Sequence, residues 1–219
     1  MQYNRVISFG DSFTFGTDLS DQVPGVVGVN PPLPSRSTWP ALIAKHLNIK
    51  NYVCYAEPGA SNSTILRTLL STEILPTDLV IVNWTWINRW DFYNEEEWST
   101  LRPSGTEDNP MYKVYYKYFQ SELWDKFETL KNIQLAFSML DNVISTSMDP
   151  LTLDTTHHCP PYVQKLINNV KPKLTWFDGK GFYHWAIDNN FPISDKWHPL
   201  EEAHQAAFEY IRDNHDFTK

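Results

Sequence analysis

Only two cysteines, Cys54 and Cys159, occur in this chain of 219 residues. Two cannot build a disulfide framework, and the count is compatible with a reducing compartment. Basic residues are also in deficit: 18 Lys and Arg stand against 26 Asp and Glu, for a formal charge of −8. Nucleic acid and anionic membrane surfaces both select a basic footprint, so neither is an expected partner. Long apolar runs are missing as well. No stretch approaches the roughly 20 residues that span a bilayer. The start, MQYNRVISFGDSF, is broken by Ser8, Gly10 and Asp11 and does not read as a signal peptide. A cytoplasmic protein is expected, although a virus-encoded or lysis-released protein would share these features. Internal repeats, low-complexity tracts and linkers are absent too, which points to one domain over residues 1–219.

What the chain does have is rings. Aromatics make up 15% of the residues, with nine Trp, inside an ordinary hydrophobic fraction of 42%. Such rings fill a core, line a site, or do both.

The local patterns predict strand, turn and helix three times over. Arg5 to Phe9 reads as a strand buried on both faces. A Pro-rich, irregular insertion follows at about 17–37, with Pro24, Pro31, Pro32 and Pro34. A helix with Pro40 in its first turn runs to about Leu47. Lys50 to Tyr55 is a second strand, Ser61 to Thr72 a second helix and Leu79 to Val82 a third strand. This alternation is the signature of a parallel sheet with crossover helices. Its ligands belong at the carboxyl ends of the strands, which collects the loops 10–16, 57–62 and 83–89 on one edge. Met111 to about Val143 reads as one long helix or two joined near Gln120, with Tyr112, Tyr115, Tyr116, Phe119 and Leu123 among the side chains expected in the core. A fourth strand is expected after it, although 142–153 shows it poorly. Lys173 to Phe177 is a possible strand, and the last helix runs from Pro199 to about Asn214.

The first of those loops carries the chemistry. In VISFGDSFTFG an apolar strand stops at Gly10 and presents Asp11 and Ser12 on a glycine turn. A serine hydroxyl needs a general base and a group that orients the base. Among seven histidines, His46, His204 and His215 fall on predicted helices, and His184 sits between Tyr183 and Trp185 as a packing residue. His198 differs. In SDKWHP, Pro199 places it at a helix start, and Asp195 precedes it by three residues, close enough across a turn to hold the imidazole Nδ1. Nε2 would then be free to accept a proton.

With these blocks in order, the sequence resembles the SGNH (GDSL-type) hydrolase superfamily from residue 6 to about 211. FGDSFTFG matches its first block, AEPGASN with Gly59 its second, and DKWHP its last. The resemblance implies a flavodoxin-like three-layer α/β/α fold and ester hydrolysis through an acyl-enzyme. It casts Ser12 as nucleophile, His198 as base and Asp195 as orienter, with the amides of Ser12 and Gly59 as oxyanion donors. The third block departs from the pattern: the family's Gly-x-Asn-Asp is replaced by VNWTWINRW. By position Asn83 replaces the glycine and Thr85 the asparagine. Donor chemistry speaks for Asn83 and position for Thr85, so both remain candidates for the oxyanion.

Trp84, Trp86, Trp90, Tyr93 and Trp98 on the third loop suggest a platform for a sugar ring. Trp84, Trp86 and Arg89 are the candidate substrate contacts. The expected substrate is a small-molecule or carbohydrate ester, with acetyl as the example of the acyl group. The same triad would also serve an acyltransferase, and the altered third block also fits a binding protein on a decayed scaffold. No cofactor is implied. His157, His158 and Cys159 lack a second cluster of ligands at fitting spacing, so no metal site is expected.

Overall fold

The computed structural model describes residues 3–26, 30–103, 110–155 and 159–217. Four parallel strands form its centre: β1 (Arg5–Phe9), β2 (Tyr52–Cys54), β3 (Asp78–Trp84) and β6 (Val143–Ser147), in the order β2-β1-β3-β6. β1 lies between β2 and β3 with Val6 opposite both Tyr52 and Leu79. β6 joins the outer side of β3, with Asn83 opposite Thr146.

Helices cover both faces, and each face seals its own core. α2 (Trp39–His46), α7 (Phe182–Asp188) and α8 (Glu201–Asn214) lie on one side. There Trp39, Ile43, Phe182, Ala203 and Ile211 pack with Val6, Leu79 and Ile81. α3 (Asn62–Leu70), α5 (Glu122–Met139) and α6 (Pro161–Val170) lie on the other. They bring Ile65, Leu130, Ile133 and Val163 against Ile7, Phe9, Val80 and Val82. Successive residues of β3 thus enter opposite cores, and all seven are buried. That two-sided burial is why the strand reads as an unbroken apolar run. Each such side chain contributes about 1.5–3 kcal/mol when fully buried. The result is the three-layer α/β/α architecture expected from the sequence.

The middle of the chain differs from the sequence expectation. β4 (Trp90–Tyr93) and β5 (Trp98–Leu101) form an antiparallel hairpin closed over Glu95, whose φ is +73°. α4 (Pro110–Tyr118) ends before Phe119, and Ser121 caps α5, so the long helix is two helices that meet around Gln120. The rings of α4 are not core, since none of its residues is buried. Tyr115 instead stacks on Trp90 of the hairpin at 4.9 Å, and Tyr116 donates its hydroxyl to the Asn88 carbonyl. Lys173 to Phe177 forms no named strand among the described residues, only isolated bridges from Thr175 to Thr146 and from Phe177 to Lys180.

The Pro-rich insertion folds back on itself through bridges between Val23 and Leu33 and between Val26 and Asn30. Its base is tied to α8, where the Glu201 carboxylate accepts from the Ser20 amide at 2.7 Å. Among the described residues no helix is long and apolar enough to cross a membrane.

Candidate active site

β1 ends at Phe9, and α1 (Ser12–Phe15) begins three residues later. Asp11 caps this single turn, its Oδ1 accepting from the Phe13 amide at 3.1 Å. Gly16, at φ +79°, closes it with its N–H on the Ser12 carbonyl. Gly10 is required by space: a Cβ there would stand 2.2 Å from Thr14 Oγ1. Ser12 is therefore placed at the carboxyl end of the central strand, 7% exposed. Gly59 holds φ +88° in the loop after β2, a backbone conformation that side chains resist. Among the described residues, neither the Ser12 nor the Gly59 amide N–H has an acceptor.

His198 arrives from the far end of the chain. A tight turn, with Trp197 at φ +68°, returns the backbone so that the Ser194 amide donates to the His198 carbonyl at 2.8 Å. The imidazole then stands edge-on to Phe13, ring centres 5.4 Å apart. Phe13 is the residue after Ser12, so the two ends of the sequence do meet at this turn.

The carboxylate beside His198 is not the one the sequence suggested. His198 Nδ1 lies 2.8 Å from Oδ2 of Asp18, two residues beyond Gly16. Asp195 is exposed at the tip of the Ser194–Trp197 turn. The inner position is taken by Ser194, whose hydroxyl donates to Asp18 at 2.8 Å and accepts from the His198 amide at 3.2 Å. Burial alone would raise the Asp18 pKa, but the hydrogen bonds from His198 and Ser194 outweigh it and hold the carboxyl below its usual range. A carboxylate only accepts, so Nδ1 carries a ring hydrogen, and in the neutral imidazole the lone pair is then on Nε2. Among the described residues, neither Nε2 nor Ser12 Oγ makes a hydrogen bond. No signal in the sequence singles out Asp18, because its partner is 180 positions away.

The loop after β3 holds the other candidates, and most of them face inward. Thr85 spends its one hydroxyl hydrogen on Asp11 Oδ2 at 2.7 Å. Its amide and carbonyl are clamped by the Asn62 side chain. Asn83 is fully buried, with Oδ1 accepting from Thr146 and Nδ2 unpaired. Neither side chain is open to a substrate oxygen in this structure, one being committed and the other sealed. Trp84 is core rather than platform, fully buried with Nε1 on Ser145. Trp86 is half-buried against Tyr183 and His184. Arg89 is a tie between loops: its Nη1 lies 2.9 Å from Asp11 Oδ2 and 2.8 Å from the Ala60 carbonyl. It thus bolts the residue before Ser12 to the residue after Gly59.

The remaining histidines are structural in their surroundings. His184 packs on Trp86 and Tyr183. His204 is not at the surface: it is 1% exposed, accepts from the Trp39 amide, and burial pushes its pKa down to about 3. His157 and His158 lie outside the described residues. Among the described residues no group of three or more His, Cys, Asp or Glu could hold a metal ion.

The three-layer sheet with its serine turn and histidine turn on one edge has the SGNH hydrolase fold. Among solved structures, an acetyl xylan esterase from the rumen bacterium Butyrivibrio proteoclasticus superposes with a TM-score of 0.52 at 16% identity, over 97% of this chain and 64% of that one. A carbohydrate esterase described as having divergent catalytic and non-catalytic binding functions superposes with a TM-score of 0.52 at 13% identity, over 100% and 70%. A member of the lipolytic G-D-S-L family from Veillonella parvula aligns over 98% of both chains at 16% identity and a TM-score of 0.49. No protein-family model matches the sequence, and no curated protein matches it.

Proposed function

We propose that this protein is a serine ester hydrolase acting through an acyl-enzyme, with Ser12, His198 and Asp18 as its triad. The observation that carries this reading is the placement of His198: Nδ1 on Asp18, the ring against Phe13, and Nε2 unoccupied beside the Ser12 turn. In this mechanism Nε2 takes the Ser12 hydroxyl proton as Oγ bonds to the ester carbonyl carbon. The charge that forms on the carbonyl oxygen is received by the Ser12 and Gly59 amides, each worth about 10²–10³ in turnover. Collapse of the intermediate breaks the bond to the alcohol, which leaves with the proton from His198. Water then repeats the sequence in reverse roles and releases the acid. Asp18 fixes the tautomer and balances the imidazolium without itself being protonated.

Acetate is the acyl group to try first, because the chain shares its fold with an acetyl xylan esterase. The exposed rings near this edge make a carbohydrate the favoured alcohol. The direct experiment is hydrolysis of p-nitrophenyl acetate by the wild type and by Ser12→Ala, together with covalent labelling by a fluorophosphonate probe. Labelling at Ser12 and loss of turnover in the variant support the reading. Equal rates in the two proteins refute it.

A further inference from the structure

A cavity of about 250 Å³ opens between α3, α5 and the β4–β5 hairpin, and neither Ser12 nor His198 lines it. That is below the roughly 300–1,000 Å³ of pockets for drug-sized ligands. Trp124 stands at its wall, 52% exposed; Trp98, 53% exposed, is also there, with the Arg67 guanidinium over its ring at 4.0 Å and Tyr93 packed against it. Trp90 also lines it, but its faces are covered by Tyr115 and Phe92, so only its edge is open. Polar side chains complete the lining, among them Asp125, Thr129 and Asn132 of α5.

The charges in this cavity discriminate against ionic ligands. Arg67 is paired with Asp91 at 2.8 Å, Arg89 with Asp11 at 2.9 Å and Glu128 with Lys131 at 2.6 Å. An anion would find no free cation there. Asp125 has only an uncharged partner, the Gln120 amide on Oδ2, and is 4% exposed. Exposed indoles beside a buried carboxylate, an amide and a hydroxyl make a lining that suits a polyol. One face of a sugar ring is apolar, and its hydroxyls both donate and accept.

We propose that this cavity is a sugar subsite, holding one neutral pyranose unit of a carbohydrate chain against Trp124 with its hydroxyls on Asp125, Thr129 and Asn132. The inference rests on the esterase reading in that the bound chain is the alcohol side of the ester. Arg89 links the two places, since its side chain lines the cavity while its Nη1 holds Asp11 beside Ser12.

The test uses the full chain carrying Ser12→Ala, titrated with xylohexaose, cellohexaose, a uronic-acid oligomer and tetramethylammonium chloride, read by calorimetry and indole fluorescence. A neutral hexaose should bind, and adding Trp124→Ala should weaken it about tenfold, the scale of one lost aromatic contact. Asp125→Asn should weaken it as well. If Trp124→Ala lowers the melting temperature, Asp125→Asn decides, because it removes a charge and no volume. Absence of hexaose binding at millimolar concentration, binding indifferent to both substitutions, or preference for the uronic acid or the ammonium ion would overturn the subsite. Hexaose binding that depends on Trp124, in a wild type inert towards the ester, would instead sink the esterase reading and leave the subsite standing.

Discussion

Asp18 Oδ2 lies 2.8 Å from His198 Nδ1, so the carboxylate held against the imidazole comes from the same loop as Ser12 and not from the turn that carries His198. Ser12 and Asp18 are both carried by the segment that follows β1, and His198 is delivered from the far end of the chain. Asp18 holds φ +71°, a conformation an L side chain adopts at some cost. It is offset here by two hydrogen bonds to the carboxylate.

Asp18→Asn is expected to lower turnover of p-nitrophenyl acetate steeply, by up to about 10⁴, because an amide no longer selects the tautomer with a free Nε2. Asp195→Asn should leave the rate within about twofold, since exposed surface substitutions away from such contacts change little. Steady-state kinetics of the two variants separates the acids. A severe loss in Asp195→Asn with little change in Asp18→Asn would reverse the assignment.

Ser12→Ala and His198→Ala should be equally damaging, and the double variant no worse than either, because groups that act as a unit are strongly non-additive. The check is kcat/KM for the three proteins. A mild effect at His198 would point to another base.

The parts of this arrangement that were legible in the sequence are those whose signal is local. Gly10, Asp11 and Ser12 announce the turn through glycine and a capping side chain, and Pro199 marks the helix start that follows His198. β3 shows as a plain apolar run because both its faces are covered. β6, expected within 142–153, showed only poorly, because Ser145, Thr146 and Ser147 are buried polar residues. Their hydroxyls are satisfied by Trp84, Asn83 and Thr152, contacts that no local pattern encodes. The β4–β5 hairpin lacks a glycine at its turn, where Glu95 takes the positive φ instead. Asp18 was invisible for the same reason as β6: its role exists only through residues far along the chain. The departure in the third block also became intelligible only in space, where Thr85 and Arg89 both serve Asp11.

Arg89→Met should destabilise the fold by about 3–5 kcal/mol, because it strands the Asp11 carboxylate, which is fully buried, without its cation. In a domain of this size that corresponds to a fall in melting temperature of roughly 10 °C. Asp11→Asn combined with Arg89→Met should recover part of the loss, since the unpaired charge is then gone. Thermal unfolding of the single and double variants tests the tie. A single variant that melts with the wild type would show that Arg89 is not holding the loops.

Two buried groups give stability a pH dependence of opposite sign. Asp125 is pushed up to about 6, first by burial and further by the charge of Glu122, against the Gln120 hydrogen bond. Between its usual value near 4 and about 6 the folded state therefore binds more protons than the unfolded one, and its contribution to stability falls as pH rises through that window. His204 is pushed down to about 3, chiefly by burial, with the charge of His198 in the same direction. The unfolded chain therefore binds the proton first, and the contribution of His204 is complete above about 6.5 and lost as pH falls towards about 3. Asp125→Asn isolates the first effect. It should stabilise the protein at pH 8 by about 2–3 kcal/mol, the equivalent of two pK units. The gain should shrink as pH falls through about 6 and vanish below about 4, where the wild-type carboxyl is already neutral in both states. Denaturant unfolding of wild type and variant across this range is the measurement. A gain that stays constant with pH would mean that the substitution acts through packing and that the Asp125 charge is not the cause.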